Sequence, residues 1–229
     1  MTIDREVESD GSGIDPGLVY IEMISRRPGV GLHEFHAVAG MGQSGWGDEY
    51  GDDIAVLNVG RTWRMGEEPE YLCAWYSPGH GLERIDEWEA TFASGAADRF
   101  EEPFRIAARI DRAGCYVPLL EPVVGTAGRY YAEWFDVAPG RSRDDVADGF
   151  RHRRERHGAL TLNLLVDRIG LLGPAPRGLA VWGVPSWAAV AEIAEDLTGD
   201  FDGDGDDGAM RPVRLVSASF YADFGREQL

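Results

Sequence analysis

The chain repeats itself. LVYIEMISRRPG, beginning at Leu18, lies without a gap over RYYAEWFDVAPG, beginning at Arg129, and pairs Tyr20 with Tyr131, Glu22 with Glu133 and Pro28-Gly29 with Pro139-Gly140. LNVGRTWRMGEEPEYLCAWYSP from Leu57 then matches LLVDRIGLLGPAPRGLAVWGVP from Leu164, pairing Arg61 with Arg168 and Trp75 with Trp182, and RIDRAGCY from Arg109 lies over RLVSASFY from Arg214. The offset falls from 111 to 107 to 105 residues along the chain. The slippage therefore sits in connections, where insertions are tolerated. A chain built this way folds as two copies of one supersecondary unit.

Each copy alternates two hydrophobic periods. β-Branched and aromatic runs near 18–25, 54–64, 70–77 and 107–118 read as strands around helices near 31–43 and 81–94. The second copy repeats this near 129–137, 142–157, 161–171, 177–184, 186–198 and 213–222. The order strand, helix, strand, strand, helix, strand is the ferredoxin-like βαββαβ unit, an α+β architecture. Apolar residues occupy both faces of the first strand (Val19, Ile21 and Met23 against Tyr20 and Ile24), so the sheet is covered on both sides. Helices cover one face, and the antiparallel sheet of the other repeat, facing it, covers the second. The expected organisation is an acidic, flexible tail over 1–17, a first repeat over 18–118, a linker over 119–128 and a second repeat over 129–229.

Composition removes several functions. With 229 residues, 44% of them hydrophobic, the chain builds a substantial core. Its net charge of −18 repels phosphate backbones and anionic headgroups, so neither nucleic acid nor a membrane surface is an expected partner. All 22 basic residues are arginine, which excludes Schiff-base and P-loop chemistry that depends on lysine. Two cysteines in strand-like surroundings and the lack of an apolar run near 20 residues read as a reduced, cytoplasmic protein.

One stretch combines a clear helix signature with polar residues on its inward stripe. Ser142 is an N-cap with Asp145 three residues on, acidic residues fill the first turn, arginines the last, and Gly158 follows as a C′ residue. The helix over 143–157 turns Val146, Phe150, Arg153 and His157 to one side. A guanidinium and an imidazole under a helix require polar partners, water or a ligand. His157 is read as a general acid/base or as a helix-end histidine bonding a carbonyl, and Arg153 as an anion or carbonyl anchor. The floor of the same space is the strand carrying Tyr131, Glu133, Trp134 and Phe135, with Phe150 above it. Glu22 and Glu133, each in a strand covered on both faces, need buried partners, for which the matched Arg61 and Arg168 are the candidates.

Other motifs have plainer readings. His33 and His36 share a helix face but lack a third metal ligand. GMGQSG from Gly40 follows a helix, not the strand a dinucleotide fingerprint requires. GDFDGDGDDG from Gly199 opens like a calcium loop but has Arg211 where the bidentate Glu belongs, and reads as a solvated acidic loop. No metal site is expected.

RRPGVGLHEFHAV (26–38) and FRHRRERHGAL (150–160) resemble the opening and the end of the helix in EthD-like proteins of the dimeric α/β-barrel superfamily. Phe150 to His157 is one residue shorter than that pattern, and Ala159 stands in place of its proline. The first repeat has no matching histidine, offering Gly42-Gln43-Ser44 instead. The resemblance implies small-molecule metabolism without an organic cofactor: an oxygenase, isomerase or cyclase acting on an apolar or aromatic metabolite. A small-molecule ligand and a homo-oligomer are the partner expectations. Two alternatives stand beside this reading: a haem-binding protein like the chlorite dismutases, tandem units of the same superfamily, and a non-catalytic ligand-binding or assembly module.

Overall fold

The computed structural model describes residues 17–38, 52–62, 69–170, 172, 176–191 and 212–223. The tail over 1–16, the GMGQSG stretch and the acidic loop over 199–208 lie outside them.

The first repeat contains β1 (Leu18–Arg26), a helix α1 over 32–38, β2 (Ile54–Arg61), β3 (Tyr71–Ser77), α2 (Glu83–Ala93), α3 (Asp98–Ala107) and β4 (Ala108–Pro118). The second contains β5 (Arg129–Val137), α4 (Arg143–Arg156), β6 (Thr161–Arg168), β7 (Gly178–Gly183), a helical segment α5 over 187–191 and β8 (Val213–Asp223). All pairings are antiparallel, in the order β1-β3-β2-β8-β5-β7-β6-β4, and the ends join to close a barrel. Each repeat supplies four adjacent strands in the ferredoxin-like order, with β4-β1-β3-β2 followed by β8-β5-β7-β6. Two short seams join the halves: Tyr116–Pro118 against Val166–Arg168, and Val59–Arg61 against Tyr221–Asp223. The facing sheets expected from the sequence thus curl until they share edges, which removes exposed edges along those seams.

The duplication reaches fine detail. The ladder β1/β4 shifts register between Met23 and Ile24, and β5/β8 shifts between the matched Trp134 and Phe135. The β2/β3 and β6/β7 ladders shift at matched points too, after Ala55 and after Leu162. Gly29 and Gly140 end matching Pro-Gly turns with φ of +87° and +80°, a conformation that disfavours residues with a Cβ.

Alternation along the strands divides the core in two. Val19, Ile21, Leu72, Ala74, Tyr130, Trp134, Val181 and Tyr221 point into the barrel and pack as one cluster fed by all eight strands. The opposite residues form outer faces under the helices: Tyr131, Phe135 and Trp182 pack against Val146, Phe150 and Val190 in the second repeat. Among the described residues, the first repeat's outer face packs as two clusters, one around Leu18, Trp88 and Cys115, the other around Ile24, Phe35, Tyr71 and Cys73.

Two local expectations are corrected. Gly158 is not among the glycines with positive φ, and α4 ends one residue early, with His157 as its C-cap donating its N–H to the Arg153 carbonyl. The segment over 98–107, between the expected second helix and the following strand, forms a further helix with Pro103 inside it.

Candidate functional site

On the second repeat, α4 delivers the residues the sequence singles out. Its start is fixed by a reciprocal box: the Asp145 N–H donates to Ser142 Oγ at 3.1 Å, and the Ser142 N–H donates to Asp145 Oδ2 at 2.7 Å. From there Val146 and Phe150 reach the sheet, and Arg153 follows one turn later. Arg153 meets Glu133 in a two-pronged pair, Nη1 to Oε2 at 2.9 Å and Nη2 to Oε1 at 3.0 Å. Trp182 Nε1 donates to the same carboxylate at 3.2 Å. The guanidinium carbon lies 5.3 Å from the Phe150 ring centre and 5.2 Å from that of Trp182. Glu133 is 1% exposed.

The expected partner Arg168 therefore gives way to Arg153. Arg168 stands at the end of β6, where its Nε donates to the Gly170 carbonyl. Arg153, read as an anchor for a ligand, is committed to Glu133, which already meets the polar demand that suggested a cavity. Tyr131, Glu133, Phe135, Phe150 and Arg153 come together on this face. Trp134 does not, because strand alternation turns it into the barrel. His157 is half-buried at the helix end, and its carbonyl accepts from the Leu160 N–H at 2.9 Å.

The matched face of the first repeat differs at nearly every position that matters. Under the sequence register, Asn58, Cys73, Cys115 and His36 stand where the second repeat has Leu165, Ala180, Phe220 and Ala147. Glu22 matches Glu133 and Trp75 matches Trp182, and Trp75 Nε1 donates to Glu22 Oε2 at 3.4 Å as its counterpart does. No arginine among the described residues reaches Glu22, and Arg61 is not its partner. Burial raises the Glu22 carboxyl to about 7, opposed by the Trp75 bond and assisted by the nearby Glu101 carboxylate. Burial also pushes the Cys73 thiol and the Tyr20 hydroxyl upward, with Glu22 adding to both. Cys73 Sγ donates to Asn58 Oδ1 at 3.1 Å.

Two further observations set Glu22 apart. The buried carboxylate of Asp53 accepts from Arg84, Ser77 and Trp88, that of Asp167 accepts from Arg143 and Arg177, and that of Glu133 is held by Arg153. Glu22 alone among these four lacks a described cation. Moreover Glu22 is surrounded by protein, yet part of its surface and that of Tyr20 stays open to water, whereas Glu133 and Tyr131 are sealed. It stands on β1 between the two clusters that the described residues form on this outer face. By alignment alone the two glutamates are equivalent. The signal that separates them is the set of apolar-to-polar exchanges around Glu22.

No group of three or more potential metal ligands occurs among the described residues, and none of the described helices is long and apolar enough to cross a membrane.

A closed eight-stranded antiparallel barrel of two ferredoxin-like halves is the architecture of the dimeric α/β-barrel proteins, here completed within one chain. Solved structures that share it include chlorite dismutases, proteins assigned to the Dyp-type peroxidases and a protein from Lactobacillus acidophilus assigned as a monooxygenase. A haem-binding protein from Thermus thermophilus superposes with a TM-score of 0.54 at 12% identity, covering 93% of this chain and 92% of its own. A mutant chlorite dismutase from Candidatus Nitrospira defluvii gives 0.53 at 5%, covering 92% and 91%. A protein from Shewanella oneidensis assigned to the Dyp-type peroxidases gives 0.56 at 9%, covering 92% and 94%. Identities this low establish a shared fold alone. No protein-family model matches the sequence, and no curated protein does.

Proposed function

We propose that this chain binds a small molecule on the outer face of its first repeat, beneath the helices, and exchanges a proton with it through Glu22. The observation that carries this reading is a carboxyl group enclosed by the fold, partly open to water and, among the described residues, without the arginine that its counterpart Glu133 possesses. A group left in this state costs stability unless something occupies its surroundings. With its carboxyl raised to about 7, Glu22 interconverts between acid and base near neutrality, as a general acid/base must. Small-molecule metabolism without an organic cofactor, the finer reading that the EthD resemblance implies, fits this site. His157 and Arg153 on the second repeat remain the alternative location for such chemistry.

The test is a thermal-shift screen of small aromatic compounds, with mass spectrometry of molecules released from the purified protein. A response lost in Asn58→Leu and kept in His157→Ala supports the first-repeat site. A response lost in His157→Ala and kept in Asn58→Leu moves the site to the second repeat, and no response from any compound overturns the reading.

Haem binding is a second reading, favoured by the haem-binding fold neighbour. The residues of the second outer face do not fit a tetrapyrrole. Phe135, Phe150 and Trp182 interleave there with ring centres 5.4 and 6.0 Å apart, and a side chain at Gly178 would strike the Phe135 ring. On the first repeat, His36 is the imidazole placed against a sheet, its ring edge-on to Tyr71. A Soret band on titration with haemin, absent in His36→Ala, would establish this reading. Unchanged free-haemin spectra would dismiss it.

A further inference from the structure

The second repeat contains a template for what the first repeat binds. On its outer face a guanidinium lies between a carboxylate and two aromatic rings: Glu133 takes both nitrogens of Arg153, and Phe150 and Trp182 face the planar cation. Glu133 and Trp182 recur on the first repeat as Glu22 and Trp75, with the same indole N–H donated to the same carboxylate. The stretch that continues α1 in sequence, AGMGQSGWGDEYG over 39–51, contains no basic residue, whereas the matching part of α4 reads FRHRRERH.

We propose that the Glu22 face binds a small aminoheterocycle of near-neutral basicity, which takes the proton of the Glu22 carboxyl and is then held as a planar cation against Glu22 and Trp75, as Arg153 is seated against Glu133 and Trp182. This inference rests on the site proposed above and names its ligand class. Three features of the surroundings favour a cation over an anion. Glu101 on α3 adds a second carboxylate to the field at Glu22. Tyr20 on β1 and Cys73 on β3, the other titratable groups beside it, are neutral near pH 7 because burial raises both. The whole molecule carries a net charge of −18, which draws cations towards any cleft.

The probe pair is benzamidine and its neutral isostere benzamide, measured by calorimetry and by Trp fluorescence on the full chain. Benzamidine should bind and benzamide should not. Affinity should rise from pH 5 to pH 8, because the cation binds the carboxylate and must displace its proton. Glu22→Gln should weaken benzamidine by roughly ten- to hundredfold, the usual loss for a charge-assisted contact. Ser142→Ala, at the start of α4 on the other repeat, should bind it unchanged. Should Glu22→Gln fail to fold, Trp75→Phe, which removes the indole N–H, serves as the second variant and should weaken binding several-fold. Equal binding of benzamide, or full benzamidine affinity in Glu22→Gln, overturns the cation inference while leaving the small-molecule site standing. Failure of both probes where the compound screen yields a neutral ligand lost in Asn58→Leu has the same meaning. Failure of both probes and of the whole screen removes the site itself.

Discussion

At the scale of single residues, the two matched glutamates make opposite demands on the fold. Glu133 is stabilised only as part of a pair, so removing Arg153 leaves a sealed, uncompensated charge. Arg153→Met should cost about 3–5 kcal/mol, read from denaturant midpoints, and adding Glu133→Leu should recover most of it. Glu22 behaves in the reverse sense. Its folded-state carboxyl is raised from 4.5 to about 7, so the fold binds its proton more tightly than the unfolded chain does. Its contribution is fully favourable below about pH 4.5, declines as pH rises towards 7, and stays unfavourable above that. Glu22→Gln should therefore melt higher than the parent at pH 8, by up to about 3 kcal/mol, and the difference should vanish near pH 4.5. A variant that melts lower at pH 8 would mean that the carboxylate has a cationic partner.

At the scale of elements, most of the architecture is legible because local signals agree with it. The Ser142 cap with Asp145, the Pro-Gly turns at Gly29 and Gly140 and the alternating strands all appear in the chain order that the repeat predicts. Ser142→Ala should cost about 1 kcal/mol and raise amide exchange in the first turn of α4. The helix Asp98–Ala107 has a helical period of its own, but Pro103 inside it reads as a break and masks it in the sequence. The site is legible only in part. The inward stripe of α4 marks Arg153 as a cation in need of a polar partner, and Glu133 is that partner. The partner is on another element, and a periodicity argument about one helix has no access to which carboxylate lies opposite. Grouping Trp134 with its strand neighbours overlooks the one-residue step that places it on the other side of the sheet.

At the scale of the whole molecule, the barrel interior decides stability. Trp134, Tyr130 and Tyr221 of the second repeat pack with Val19, Ile21, Val59 and Leu72 of the first, so neither half retains a complete core alone. Unfolding should be a single cooperative transition by fluorescence and circular dichroism together, and a fragment over 1–118 should not fold as a monomer. Trp134→Ala should cost about 3–5 kcal/mol without altering ligand response on the outer faces. Two separate transitions would mean that the seams at Tyr116–Pro118 and Val59–Arg61 do not couple the halves.

The short seams also bear on how such a molecule acquires its chemistry. Were the same barrel assembled from two identical subunits, every substitution would appear twice, and any arginine that fills one outer face would fill the other. Joining the halves in one polypeptide releases them from this symmetry. One face can close over Arg153 and serve as ballast, while the other keeps Asn58, Cys73 and an unneutralised Glu22. The stability sacrificed on one side is then carried by its twin.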